Sequence, residues 1–89
     1  MRSCRCIVKG RVQGVWFRKF TKELADKLGI SGEVRNLPDG SVEVKATVSE
    51  EQLTPFLEGL KKGPPLARVD AIEFEEIDET FNGGFRIVK

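Results

Sequence analysis

The sequence contains no histidine, a single tryptophan and only two cysteines among its 89 residues. Without histidine, catalysis by an imidazole acid or base is excluded. Two cysteines and no histidine leave too few ligands for a structural zinc. Long apolar runs are also missing. No stretch approaches the roughly 20 residues that a membrane-spanning helix needs. The opening Met1-Arg2-Ser3-Cys4-Arg5-Cys6 lacks the apolar core and small-residue cleavage site of a secretory signal, so cytoplasmic residence and no membrane partner are expected. Internal repeats, linkers and low-complexity tracts are absent, and the length fits one domain over residues 1–89. Hydrophobic content of 39% with 33% charged residues describes a soluble globular chain with a core of its own.

Charge of one sign is missing from two segments. Residues 1 to 22 carry Arg2, Arg5, Lys9, Arg11, Arg18, Lys19 and Lys22 and no acid. Residues 70 to 79 carry Asp70, Glu73, Glu75, Glu76, Asp78 and Glu79 and no base. Two accounts fit: solvated faces that attract each other, or a basic region that steers anions to a site. Cys4 and Cys6 lie two apart on one face of a strand. They read as buried free thiols or as a strained disulfide.

What is present gives a clear order of elements. Cys4–Lys9 is a short strand ending at Gly10. Phe17, Phe20, Leu24, Ala25 and Leu28 form a helical apolar stripe, stopped by Gly29. Ile30–Asn36 is a second strand, and Leu37-Pro38-Asp39-Gly40 supplies the residues of a hairpin turn. Val42, Val44, Ala46 and Val48 alternate with Glu43, Lys45 and Thr47 in a third strand. Ser49-Glu50-Glu51-Gln52 is a capping box for a second helix, with Leu53, Phe56, Leu57 and Leu60 buried. Pro55 either bends that helix or marks Thr54 as its true cap. Gly63-Pro64-Pro65 ends it. Val69–Phe74 changes alternation phase between Ala71 and Ile72, the sign of a bulged strand, and Phe85–Lys89 reads as a short final strand. The strand–helix–strand–strand–helix–strand order predicts an α+β ferredoxin-like βαββαβ sandwich, with an antiparallel sheet and two helices on one face.

The segment Gly10-Arg11-Val12-Gln13-Gly14-Val15-Trp16-Phe17-Arg18 sits between the first strand and the first helix. Two glycines in five residues allow turns that a side chain obstructs and let amide N–H groups converge. A helix N-terminus adds free donors and the positive end of its dipole, which suits a tetrahedral anion. Arg18 adds a planar fork matched to two phosphate oxygens. The pattern is neither a Walker loop nor a dinucleotide fingerprint. Read by spacing alone, the same glycines also fit a plain turn, and Asn36 before Leu-Pro-Asp-Gly fits an ordinary turn residue.

Together with Val34-Arg35-Asn36-Leu37-Pro38-Asp39-Gly40-Ser41-Val42-Glu43-Val44 and Lys62-Gly63-Pro64-Pro65, this segment resembles the acylphosphatases in order and spacing, over nearly the whole chain. The resemblance implies a ferredoxin-like fold and hydrolysis of acyl phosphates to carboxylate and phosphate, without metal or other cofactor. It implies that Arg18 is the phosphate-binding arginine and Asn36 the asparagine that orients water. The backbone of Gln13, Gly14, Val15, Trp16 and Phe17 then corresponds to the phosphate cradle. The family commonly carries a small residue or an aromatic where Trp16 stands, and often an aromatic where Glu33 stands. Neither difference carries a catalytic consequence, though Trp16 alters the mouth of the site.

The chemistry agrees with the missing histidine. An acyl phosphate releases a carboxylate whose conjugate acid has a pKa of about 4, so the leaving group needs no proton at neutral pH. Positioning and charge stabilisation then carry the reaction. The expected partners are a small acyl phosphate, with phosphate or sulfate as competing ligands, and the expected state is a monomer. Asp39 reads as a turn residue, and Phe17 and Phe20 read as core. An RNA-binding module on this topology presents stacking aromatics on its central strands, but Cys4–Lys9 and Ser41–Val48 hold none. A metal carrier needs paired thiols in the first loop, and Gly10–Phe17 has none. A silent anion-binding or regulatory domain on the same topology is the remaining alternative.

Overall fold

The computed structural model describes residues Met1–Lys89. Its elements run β1 (Arg2–Arg11), α1 (Phe17–Leu28), β2 (Ser31–Asn36), β3 (Val42–Val48), α2 (Glu50–Lys62), β4 (Arg68–Ile77) and β5 (Phe85–Ile87). They build one five-stranded sheet in the order β4-β1-β3-β2-β5. The β1–β3, β1–β4 and β2–β3 pairs are antiparallel, as the sequence predicts. The fifth strand adds a parallel pair, β2 with β5, in the register Gly32–Phe85, Glu33–Arg86 and Val34–Ile87.

Alternation decides which face carries the core. Cys4, Cys6 and Val8 of β1 lie opposite Ala46, Val44 and Val42 of β3, and all six are fully buried. Phe17 and Ala25 of α1 and Phe56 and Leu60 of α2 join the same cluster. Burying each large side chain of this kind contributes about 1.5–3 kcal/mol. The cysteines are free and buried. Their proximity and burial push the Cys6 thiol well above the ordinary range.

The helical stripes are less deeply buried than expected: Leu24 and Leu28 of α1 and Leu53 and Leu57 of α2 are half-buried against the core. Thr21 is buried and Phe20 only half-buried, with the Phe17 and Phe20 rings 6.1 Å apart. Thr21 enters the core because its hydroxyl donates to the Phe17 carbonyl (2.9 Å), so no polar atom is left unpaired. The helix ends at Gly29, where the Ile30 N–H bonds the Ala25 carbonyl at 2.9 Å. That bond draws Ile30 into the cap, so β2 starts at Ser31. In α2 the capping box is complete: Ser49 N–H donates to Gln52 Oε1 (2.8 Å), and Gln52 N–H donates to Ser49 Oγ (3.3 Å). Ser49, not Thr54, is therefore the cap, and the helix runs through the exposed Pro55.

The other face of the sheet has no covering layer, yet Glu43 and Thr47 are buried there. Glu43 accepts from Arg5 Nε (2.6 Å) and Arg35 Nε (2.9 Å), which lie across it from the neighbouring strands. Burial alone raises a carboxyl's pKa, but the two guanidinium groups outweigh it and hold Glu43 below the ordinary glutamate range. Thr47 accepts from the Phe81 N–H (2.8 Å), which pins the connection between β4 and β5. The basic and acidic segments meet because β1 and β4 are neighbours: Arg2 pairs with Glu76, Arg5 with Glu75 and Lys9 with Glu73. The attraction between charged faces thus accounts for the first half of the basic segment.

Candidate active site

The β1–β4 register shifts at Lys9/Gly10: Lys9 faces Ala71 and Gly10 faces Val69. Asp70 is the extra residue, so the bulge lies one position before the break in alternation. Gly10 sits opposite it at φ 132°, where a Cβ would collide with the Arg68 carbonyl. The chain then leaves the sheet through Val12–Trp16 and enters α1. Gly14 turns the loop at φ 73°, a left-handed conformation that glycine adopts without strain. Trp16 follows at φ 69°, the only non-glycine residue with positive φ. Holding a bulky side chain there costs roughly 1–2 kcal/mol.

None of the backbone hydrogen bonds in the turns and loops is donated by Gln13, Gly14, Val15 or Trp16. Helix α1 adds its own unpaired first-turn donors. It has no side-chain cap and no acidic residue in its first turn. The loop is nevertheless fixed. Gln13 Nε2 donates to the Leu37 and Ser41 carbonyls, both at 2.8 Å, and ties the loop to the β2–β3 hairpin. In that hairpin Asp39 Oδ1 accepts from Ser41 N–H (2.9 Å) and Ser41 Oγ (2.5 Å), the local bonding of a turn residue. These bonds hold the Asp39 carboxyl below its ordinary pKa.

A cleft of about 430 Å³ opens between this loop and the end of β2. That lies within the roughly 300–1,000 Å³ of small-molecule sites. It is lined by Val12, Gly14, Trp16, Phe17, Arg18, Lys19, Asn36 and Ile87, with no acidic side chain among them. Arg18 enters none of the ten ion pairs. Asn36 is the last residue of β2, in register with Val42, so it is held by the sheet and the turn begins after it. Its Oδ1 is buried and has no hydrogen-bond partner in the protein. An unpaired buried acceptor costs about 1–3 kcal/mol. The expected residues Arg18 and Asn36 thus line one cleft with Gly14, Trp16 and Phe17 of the loop. The Gln13 side chain points to the hairpin, and Val15 is buried in the core.

The acylphosphatase family model matches residues 4–87. The chain belongs to the acylphosphatase family. It is 51% identical over 81 residues to an acylphosphatase of Thermus thermophilus, covering 91% of this chain and 92% of that protein. It is 53% identical over 73 residues to one from Legionella pneumophila, covering 82% and 80%. The crystal structure of an acylphosphatase from Bacillus subtilis superposes with a TM-score of 0.91 at 42% identity and full coverage of both chains. The protein is an acylphosphate phosphohydrolase with the ferredoxin-like fold, and its substrate is a small acyl phosphate. No helix is long and apolar enough to cross a membrane.

Two further residues line the cleft without having been named as site residues from the sequence. Ile87 reaches the cleft through the parallel β2–β5 pairing, which no local pattern announces. Lys19, part of the basic segment for which anion steering is one of the two accounts, lines the cleft as well.

Proposed function

We propose that residues 1–89 act as one acylphosphatase-like domain, a cytoplasmic monomer in which the loop and Arg18 hold the phosphoryl group and Asn36 aims the water. The N–H groups of Gln13 to Phe17 and the guanidinium of Arg18 meet the non-bridging oxygens as negative charge shifts among them. Water attacks phosphorus in line with the acyl oxygen. The P–O(acyl) bond breaks, the bonding pair leaves with the carboxylate, and the water's proton passes to a phosphoryl oxygen of the substrate. Asn36 does not titrate. Its Oδ1 accepts a hydrogen bond from the water, which directs a lone pair of the water at phosphorus. Because a carboxylate leaves unprotonated near neutral pH, no acid is required at the leaving group.

The observation that carries this reading is the buried, unpartnered Oδ1 of Asn36 in the same cleft as Arg18. The test is kinetic. Asn36→Ala lowers kcat for benzoyl phosphate by about 10²-fold, the scale of losing one preorganised polar contact to the reacting centre. Competitive inhibition by inorganic phosphate or sulfate stays within a few fold of wild type. A large loss of phosphate affinity instead assigns Asn36 to binding and overturns its role with water.

A further inference from the structure

The cleft holds more apolar surface than a phosphate group uses. Four of its eight lining residues are hydrophobic, and two of these, Val12 and Phe17, belong to the buried core. The other two do not: Trp16 is 71% exposed and Ile87 43% exposed. Neither folding nor packing accounts for an indole at this point. Its surface remains in water, and its backbone sits in a left-handed conformation that a smaller or more polar residue adopts at lower cost. The indole also borders a second, shallower groove with Phe20, Pro64 and Pro65, whose rim carries Lys19 and Glu23.

We infer that Trp16 and Ile87 form a wall for the acyl group, and that the preferred substrates carry a bulky apolar acyl chain or ring. The inference rests on the phosphoryl assignment given above. With the phosphoryl group on the loop and Arg18, the acyl part of the same molecule occupies the remainder of the cleft, where these two side chains stand. An apolar acyl group covers surface that water otherwise wets, whereas an acetyl group covers little of it. The strain at Trp16 and the exposure of Ile87 then serve selectivity.

The test compares benzoyl phosphate with acetyl phosphate within each variant, so that intrinsic reactivity cancels. Trp16→Ala is expected to lower the benzoyl/acetyl ratio of kcat/KM about tenfold, and Ile87→Ser about threefold, both through KM. Trp16→Phe retains most of the ratio. A second readout needs no turnover. Trp16 is the sole tryptophan, so its emission reports directly on the wall. Benzylphosphonate is expected to perturb that emission and to bind at least several-fold tighter than methylphosphonate. Ratios unchanged within twofold in both truncations, or equal binding of the two phosphonates, overturn the wall. If the wild type hydrolyses neither acyl phosphate, the reaction scheme fails, and the phosphonate preference still decides the wall by itself.

Discussion

The two helices begin in opposite ways. Helix α2 starts with a complete Ser49–Gln52 capping box and two acidic residues, Glu50 and Glu51, in its first turn. Helix α1 starts at Trp16 with a strained backbone, no side-chain cap and no acid. One terminus has its donors and dipole satisfied by its own side chains. The other leaves both open toward a cleft with Arg18 and Lys19. In one fold, with both helices packed on one sheet, completed capping marks a structural terminus and withheld capping marks the terminus proposed to hold an anion. The cations show the same contrast. Arg5 and Arg35 converge on Glu43, while Arg18 has no acidic partner.

The comparison breaks most sharply at Arg18. Arg18→Ala is expected to lower kcat/KM for benzoyl phosphate on the order of 10³-fold, because it removes a charge-assisted fork from the phosphoryl oxygens. Circular dichroism and thermal midpoint should stay close to wild type, since the side chain supports no ion pair. Making α1 resemble α2 is the next largest change. Trp16→Asp places an anion at the helix start, and Asp tolerates a left-handed backbone. Inhibition by inorganic phosphate should weaken at least tenfold, on the order of a like charge set against the ligand, while the midpoint does not fall.

Among the satisfied charges the effect is on stability. Glu43 titrates below its unfolded value of about 4.3, so its contribution is fully present above that pH and is lost as pH falls through the lowered native value. Glu43→Gln is expected to cost about 1–2 kcal/mol at pH 7, the scale of charged hydrogen bonds discounted for partly exposed partners. Urea melts at pH 7 and pH 3 check it, and the gap between variant and wild type should narrow at the lower pH. The smallest effect belongs to the capped terminus. Ser49→Ala should lose about 1 kcal/mol of stability and leave turnover of benzoyl phosphate unchanged.

Legibility in the sequence followed the range of the interaction. The capping box at Ser49, the alternation of Val42–Val48 and the Gly29 stop are written within a few residues and stand where they were read. Arg18 and Asn36 line one cleft; the glycine loop marks Arg18 by spacing, whereas Asn36 beside its hairpin reads as a turn residue until the resemblance to the acylphosphatases singles it out. The bulge was legible to within one residue, since a phase change shows that a residue is extra without showing which one leaves the ladder. What could not be read depends on distant partners. Glu43 reads as a solvent-facing strand residue until Arg5 and Arg35 are seen to bracket it. The Gln13 side chain is polar and unremarked until the hairpin carbonyls arrive beside it. Phe20, read as core, is only half-buried beside a buried Thr21, because a threonine that bonds its own helix can be buried.

The parallel pairing of β5 with β2 has a temporal meaning as well as a spatial one. Ile87 stands beside Val34, on the strand that carries Asn36, yet it follows that strand, β3, α2 and β4 in the order of synthesis. As synthesis proceeds, the anion loop, Arg18 and Asn36 all emerge before one wall of their cleft exists. The residues proposed to meet the phosphoryl group are thus made before the Ile87 side of the wall proposed to meet the acyl group.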